Sequence, residues 1–85
     1  MADTKIVVYG TSWCPDTARA RQCLNRLRVP YNFCDIEKDQ EGCAFVEKVN
    51  QGKRCVPTIL FPDGSILVEP STSLLEEKLD AARRP

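Results

Sequence analysis

A change of hydrophobic period near the start of the chain limits what it can fold into. Lys5-Ile6-Val7-Val8-Tyr9 is a short β-branched run that breaks at Gly10, the pattern of a buried strand. After the loop Gly10-Thr11-Ser12-Trp13 the period becomes helical. Ala20, Cys23, Leu24 and Leu27 fall at i, i+3, i+4 and i+7, and Arg19, Arg21, Gln22 and Arg26 lie off that stripe. Pro15 suits the first helical turn, where a missing N–H costs nothing, and Pro30 ends the segment. Val29 to Ile36 alternates around Tyr31 and Phe33 as a second strand. Strand, helix and strand in this order require a parallel pair with the helix crossing over.

The remaining pattern completes one domain over residues 1–85. Glu37 to Gly42 is a polar connection or helix start, and Phe45, Val46 and Val49 mark a second helix that stops near Gly52. Cys55 to Phe61 reads as a third strand and Ser65 to Glu69 as a fourth. Pro62-Asp63-Gly64 turns between them, with Gly64 supplying positive φ. A third helix follows Pro70, capped by Ser71 or by the capping box Ser73-Leu74-Leu75-Glu76, with Leu74, Leu75 and Leu79 facing inward. The order β-α-β-α-β-β-α predicts an α/β fold: a four-stranded mixed sheet with helices on both faces. A domain of 85 residues hides only about 60–65% of its unfolded surface, so the core is thin.

Charge and cysteine content narrow the function. Twelve basic and twelve acidic residues are interspersed and sum to zero, so neither nucleic acid nor an acidic membrane surface is an expected partner. No apolar run approaches the roughly 20 residues of a membrane helix. Met1-Ala2-Asp3-Thr4-Lys5 lacks a signal-peptide pattern. The expected compartment is therefore cytoplasmic, where thiols stay reduced. The five cysteines, Cys14, Cys23, Cys34, Cys43 and Cys55, are odd in number and contain no C-x-x-C, and the chain has no histidine. A disulfide scaffold and a zinc site are both poorly supported, and no metal is expected. What matters is which thiol reacts.

Cys14 stands at the helix start in Trp13-Cys14-Pro15-Asp16-Thr17. Unpaired backbone N–H groups and the positive end of the helix dipole favour thiolate there. An ordinary cysteine is only a few per cent thiolate at neutral pH, so such a position raises the reactive fraction. The second marker is Val56-Pro57-Thr58, where proline interrupts a strand-like run. A cis Val56–Pro57 bond would bend the backbone and leave Val56 free to pair with an extended ligand.

Together these segments resemble glutaredoxins of the thioredoxin superfamily over nearly the whole chain. The resemblance rests on K-I-V-V-Y, W-C-P at the helix start, Y-N-F-C-D-I, G-K-R-C-V-P-T and F-P-D-G. It implies a thioredoxin-like fold, a cis proline at Pro57 beside Cys14, and reduction of disulfides, often mixed disulfides with a low-molecular-weight thiol. No tightly bound cofactor is implied. The co-substrate would be glutathione or another small thiol, the partners disulfide-bearing proteins, and the state a monomer.

The departures from that pattern shape the mechanism. Dithiol members carry C-P-x-C, but the fourth position here is Thr17, and the iron–sulfur C-G-F-S motif is also absent. The usual lysine three residues before the nucleophile is replaced by Thr11, and Glu69-Pro70-Ser71-Thr72 replaces the segment that cradles the glutamyl end of glutathione. These changes leave the small thiol unspecified. They also argue against an iron–sulfur carrier, with Cys14 and a bound small thiol as ligands, which remains the second reading.

Several supporting residues keep two roles at this stage. Thr17 either donates a hydrogen bond to the Cys14 sulfur or is an ordinary first-turn residue. Arg54, with Lys53, either meets a carboxylate of the small thiol or lies in a solvated turn. Trp13 shields the site, offers a partner surface or packs the loop. Cys55 either resolves the mixed disulfide or packs in the third strand, while Cys23 belongs to the core.

Overall fold

The structure, a computed structural model, describes the backbone of residues 5–83 and the side chains of residues 5–80. The elements are β1 (Ile6–Gly10), α1 (Pro15–Arg26), β2 (Tyr31–Asp35), α2 (Gln40–Val49), β3 (Thr58–Leu60), β4 (Ile66–Val68) and α3 (Thr72–Arg83). The sheet order is β2-β1-β3-β4. β1 runs parallel to β2, with Ile6 opposite Tyr31 and Gly10 opposite Asp35. β3 is antiparallel to both β1 and β4. This is the expected four-stranded mixed sheet.

Alternation along β1 builds the two layers. Ile6, Val8 and Gly10 are buried on one side of the strand, and Val7 and Tyr9 point to the other. On the first side Ile6, Val8, Ile59 and Phe61 pack with Ala20, Cys23 and Leu24 of α1 and Leu75 and Leu79 of α3. Each fully buried Leu, Ile, Val or Phe contributes about 1.5–3 kcal/mol. On the second side the Tyr9 ring meets Phe45 of α2 at 4.8 Å between centroids, with Val46 fully buried.

The ends of the elements show what the pattern alone did not fix. Leu74 is 46% exposed rather than inward, because the buried stripe of α3 runs through Leu75 and Leu79, and Leu74 lies about 100° away from it. Ser71, not the Ser73 box, supplies the cap, its Oγ accepting from the Leu74 N–H at 3.1 Å. β3 begins at Thr58 instead of Cys55, since Pro57 has no N–H to give the ladder. Cys55 therefore lies outside the strand, and the alternation argument for its packing there does not apply.

Local hydrogen bonds stop the remaining turns. Gly64 takes φ 91° in the β3–β4 turn. Asp63 accepts from the Ser65 N–H at 2.9 Å, the Ser65 hydroxyl at 2.6 Å and Lys78 Nζ at 3.0 Å. These donors, Ser65 foremost, hold the Asp63 carboxyl well below the usual carboxylate range. Asp39 caps α2, its Oδ1 accepting from Gly42 N at 3.1 Å.

One close approach places the start of α1. A Cβ on Gly10 would fall 2.6 Å from Thr17 Oγ1 and 2.7 Å from Thr17 Cγ2. Only a bare backbone at the end of β1 lets the first turn of α1 sit this near. Gly10→Ala is expected to cost about 1–3 kcal/mol of stability by overpacking, and adding Thr17→Ala should recover part of it. Urea unfolding checks this; a Gly10→Ala midpoint equal to that of the parent chain would contradict the contact.

Candidate active site

Cys14 is the N-cap residue of α1, with extended backbone (φ −78°, ψ 123°), Pro15 after it and no side-chain cap bond to the helix. Its carbonyl accepts from Ala18 N at 3.0 Å, and its own N–H points to Thr11 O at 3.4 Å. An N-cap oxygen would normally satisfy a first-turn N–H. Here a partly exposed sulfur occupies that position, at the positive end of the helix. Asp16, in the same turn, is paired with Arg19 at 3.0 Å.

Thr17 does not reach the sulfur. It is 1% exposed, and its buried hydroxyl has no hydrogen-bond partner. Of its two readings the bond to Cys14 is therefore not made: the side chain faces Gly10 under the helix start, so its role is to seat α1.

Beside the Cys14 loop opens a cavity of about 240 Å³ lined by Thr11, Trp13, Ile36, Glu37, Arg54 and Val56. Trp13 is 68% exposed, yet its indole N–H donates to Glu37 Oε1 at 3.1 Å. Sequence reasoning missed Glu37, which it treated as part of a polar connection. Only the parallel pairing of β1 with β2 brings the residues after Asp35 alongside the loop after Gly10. Arg54 lines the same groove, but its Nε donates to Glu47 Oε2 of α2 at 3.0 Å. That hydrogen-bonded carboxylate raises the guanidinium further above its ordinary range. Arg54 is thus an exposed loop residue, as the solvated reading had it, whose guanidinium is already paired with Glu47.

The far wall is the segment before β3. The Val56–Pro57 bond is cis, and Val56 lines the groove. The Pro57 carbonyl accepts from Glu69 N at 2.8 Å. Asn50, at the end of α2, donates to Val46 O at 2.8 Å and Thr58 Oγ1 at 3.2 Å, and Thr58 in turn donates to Cys55 O at 2.7 Å. This chain of bonds ties α2 to the wall.

All five thiols are free, with Cys23 buried and the other four partly exposed. Burial pushes the Cys23 thiol up. Cys34 donates to Asp39 Oδ2 at 3.4 Å, and burial together with that carboxylate pushes it up to about 11.

A thioredoxin-like sheet that carries a cysteine at a helix start and a cis proline just before β3 defines a thiol-redox class of protein. Comparison agrees. The Glutaredoxin family model matches residues 6–66. A protein of Mycobacterium tuberculosis named as a glutaredoxin is 39% identical over 79 residues, covering 93% of this chain and 94% of its own. Mycoredoxin 1 of Corynebacterium glutamicum is 32% identical over 79 residues, covering 92% and 96%. The solved glutaredoxin of Archaeoglobus fulgidus superposes with a TM-score of 0.67 at 28% identity, covering 95% of this chain and 87% of the other. The chain belongs to the glutaredoxin family, and at that level it is a thiol–disulfide oxidoreductase.

The thiols should separate by reactivity. With a value of about 11, only roughly one Cys34 in a thousand is thiolate at pH 8. Brief alkylation at pH 8 followed by peptide mapping should leave Cys34 almost unlabelled, with labelling rising only above about pH 10. Asp39→Asn should shift that rise to lower pH. Rapid labelling of Cys34 at pH 8 would contradict the Cys34–Asp39 bond.

Proposed function

We propose that this glutaredoxin works by a monothiol route through Cys14. The Cys14 thiolate attacks one sulfur of a protein or mixed disulfide, forms a Cys14 mixed disulfide and releases the other sulfur as a thiolate. A low-molecular-weight thiol, glutathione or another, then attacks the mixed disulfide as its thiolate. Where Cys14 holds a small thiol, the attacker leaves as the small disulfide RS–SR and regenerates the Cys14 thiolate; where it holds a protein sulfur, the attacker leaves as that protein's mixed disulfide, which then enters the first route. The observation that carries this reading is the uncapped N-terminus of α1, where Cys14 stands alone and the position one turn on is the buried Thr17. Thr17 has no sulfur to displace a bound thiol.

Trp13 and Val56 line the groove in which the small thiol would lie, with the buried cis Pro57 next to Val56 and Pro15 at the helix start. Arg54 is the cation nearest that space. Cys55, half-buried in the loop before Pro57, is the remaining thiol with a claim to a resolving role, and the monothiol route does without it. The working unit is a single-domain monomer in a reducing compartment such as the cytoplasm, consistent with five unpaired thiols. Among the described residues no helix is long and apolar enough to cross a membrane. The balanced charge supports small-thiol and protein partners rather than nucleic acid or lipid.

Intact mass spectrometry after oxidation with a small disulfide tests the route. A stable adduct of one thiol, mapped to Cys14, is expected. Loss of two hydrogens without an adduct, abolished by Cys55→Ser, would instead make Cys55 the resolving residue.

A further inference from the structure

The groove beside Cys14 has an unusual balance of charge for a site that binds a small thiol. Its two charged lining residues are Glu37 and Arg54. Arg54 is already held by Glu47, so the local set is one cation against two carboxylates. Glu37 lines the space with the neutral indole of Trp13 on its Oε1, and it shares the field of Arg54 with Glu47. Thr11, three residues before Cys14, lines the same space and contributes no charge. Of the other charges near the loop, Asp16 is paired with Arg19, and Lys53 is exposed and does not line the cavity. A carboxylate entering this space meets repulsion from Glu37 and must compete with Glu47 for Arg54. An uncharged or cationic group meets neither cost.

We infer that Glu37 is a specificity-determining residue: it tunes the groove to small disulfides whose flanking groups are neutral or cationic, and against those ending in carboxylates. The inference rests on the proposal that Cys14 attacks such disulfides. The step is the same for each: Cys14–S⁻ displaces RS⁻ from RS–SR and keeps the other RS as a mixed disulfide. Only the charge on R differs.

The test uses the full chain and three symmetrical probes: cystamine (ammonium), 2-hydroxyethyl disulfide (hydroxyl) and 3,3′-dithiodipropionate (carboxylate). Single-turnover rates of adduct formation at Cys14 are each divided by the rate of 2-mercaptoethanol with the same probe, which removes intrinsic differences in leaving group. At low salt the carboxylate probe should lag the hydroxyl probe by about three- to tenfold, the size of one partly screened charge near a reacting group, and the gap should narrow in about 0.5 M salt. Glu37→Gln should raise the carboxylate-to-hydroxyl ratio by about threefold, and Glu37→Asp should keep the parent ratio. If Glu37 served only to hold Trp13, its variants would change all three probes together and leave the ratio fixed. That result overturns the inference, as does a parent chain that prefers the carboxylate probe. If no probe forms an adduct at Cys14, the proposed nucleophile is wrong and the charge preference falls with it.

Discussion

The seating of α1 against the end of β1 is the contact on which the site depends. Thr17 lies on Gly10 so closely that a single methyl there would clash. The helix start is therefore held at the carboxyl end of a central strand, and the loop between them has to turn outward. Cys14 comes out at the mouth of that loop as the N-cap residue without a cap bond. Burial of Ala20, Cys23 and Leu24 further along α1 secures the same helix to the core, so the position of the sulfur follows from packing rather than from any bond to the sulfur itself.

The opposite wall is built from a different kind of interaction. One Asn50 amide group bridges Val46 and Thr58, and Thr58 passes the connection to Cys55. Part-buried hydrogen bonds of this kind are worth only about 1 kcal/mol net each. Together they hold the segment before β3, and Pro57 is tied from the other side by Glu69.

Most of the fold was legible in local patterns. The switch of period between Tyr9 and Ala20, the Pro62-Asp63-Gly64 turn and the interruption at Pro57 led to the observed order of strands and helices. The errors lay where neighbours in space decide. Leu74 fits an apolar stripe as well as Leu75 does until the rotation of α3 is known, and Cys55 alternates like a strand residue until Pro57 is seen to start the strand late. Cys14, Trp13, Val56 and Pro57 could be picked out because each sits in a short motif. Glu37 could not, since its contact with Trp13 spans 24 positions and arises from a strand pairing. Thr17 stayed open for a related reason: its hydroxyl is one turn from Cys14 in sequence, and only the packing shows that its side chain faces Gly10 under the helix start.

The central claim is that chemistry resides in one sulfur at the start of α1. Turnover of a protein mixed disulfide, driven by a small thiol, measures this directly when Cys14→Ser is compared with Cys43→Ser and Cys55→Ser, each shown by circular dichroism to be folded. The account predicts that activity falls to the uncatalysed rate in Cys14→Ser and persists in the other two. Appreciable turnover by folded Cys14→Ser would contradict it.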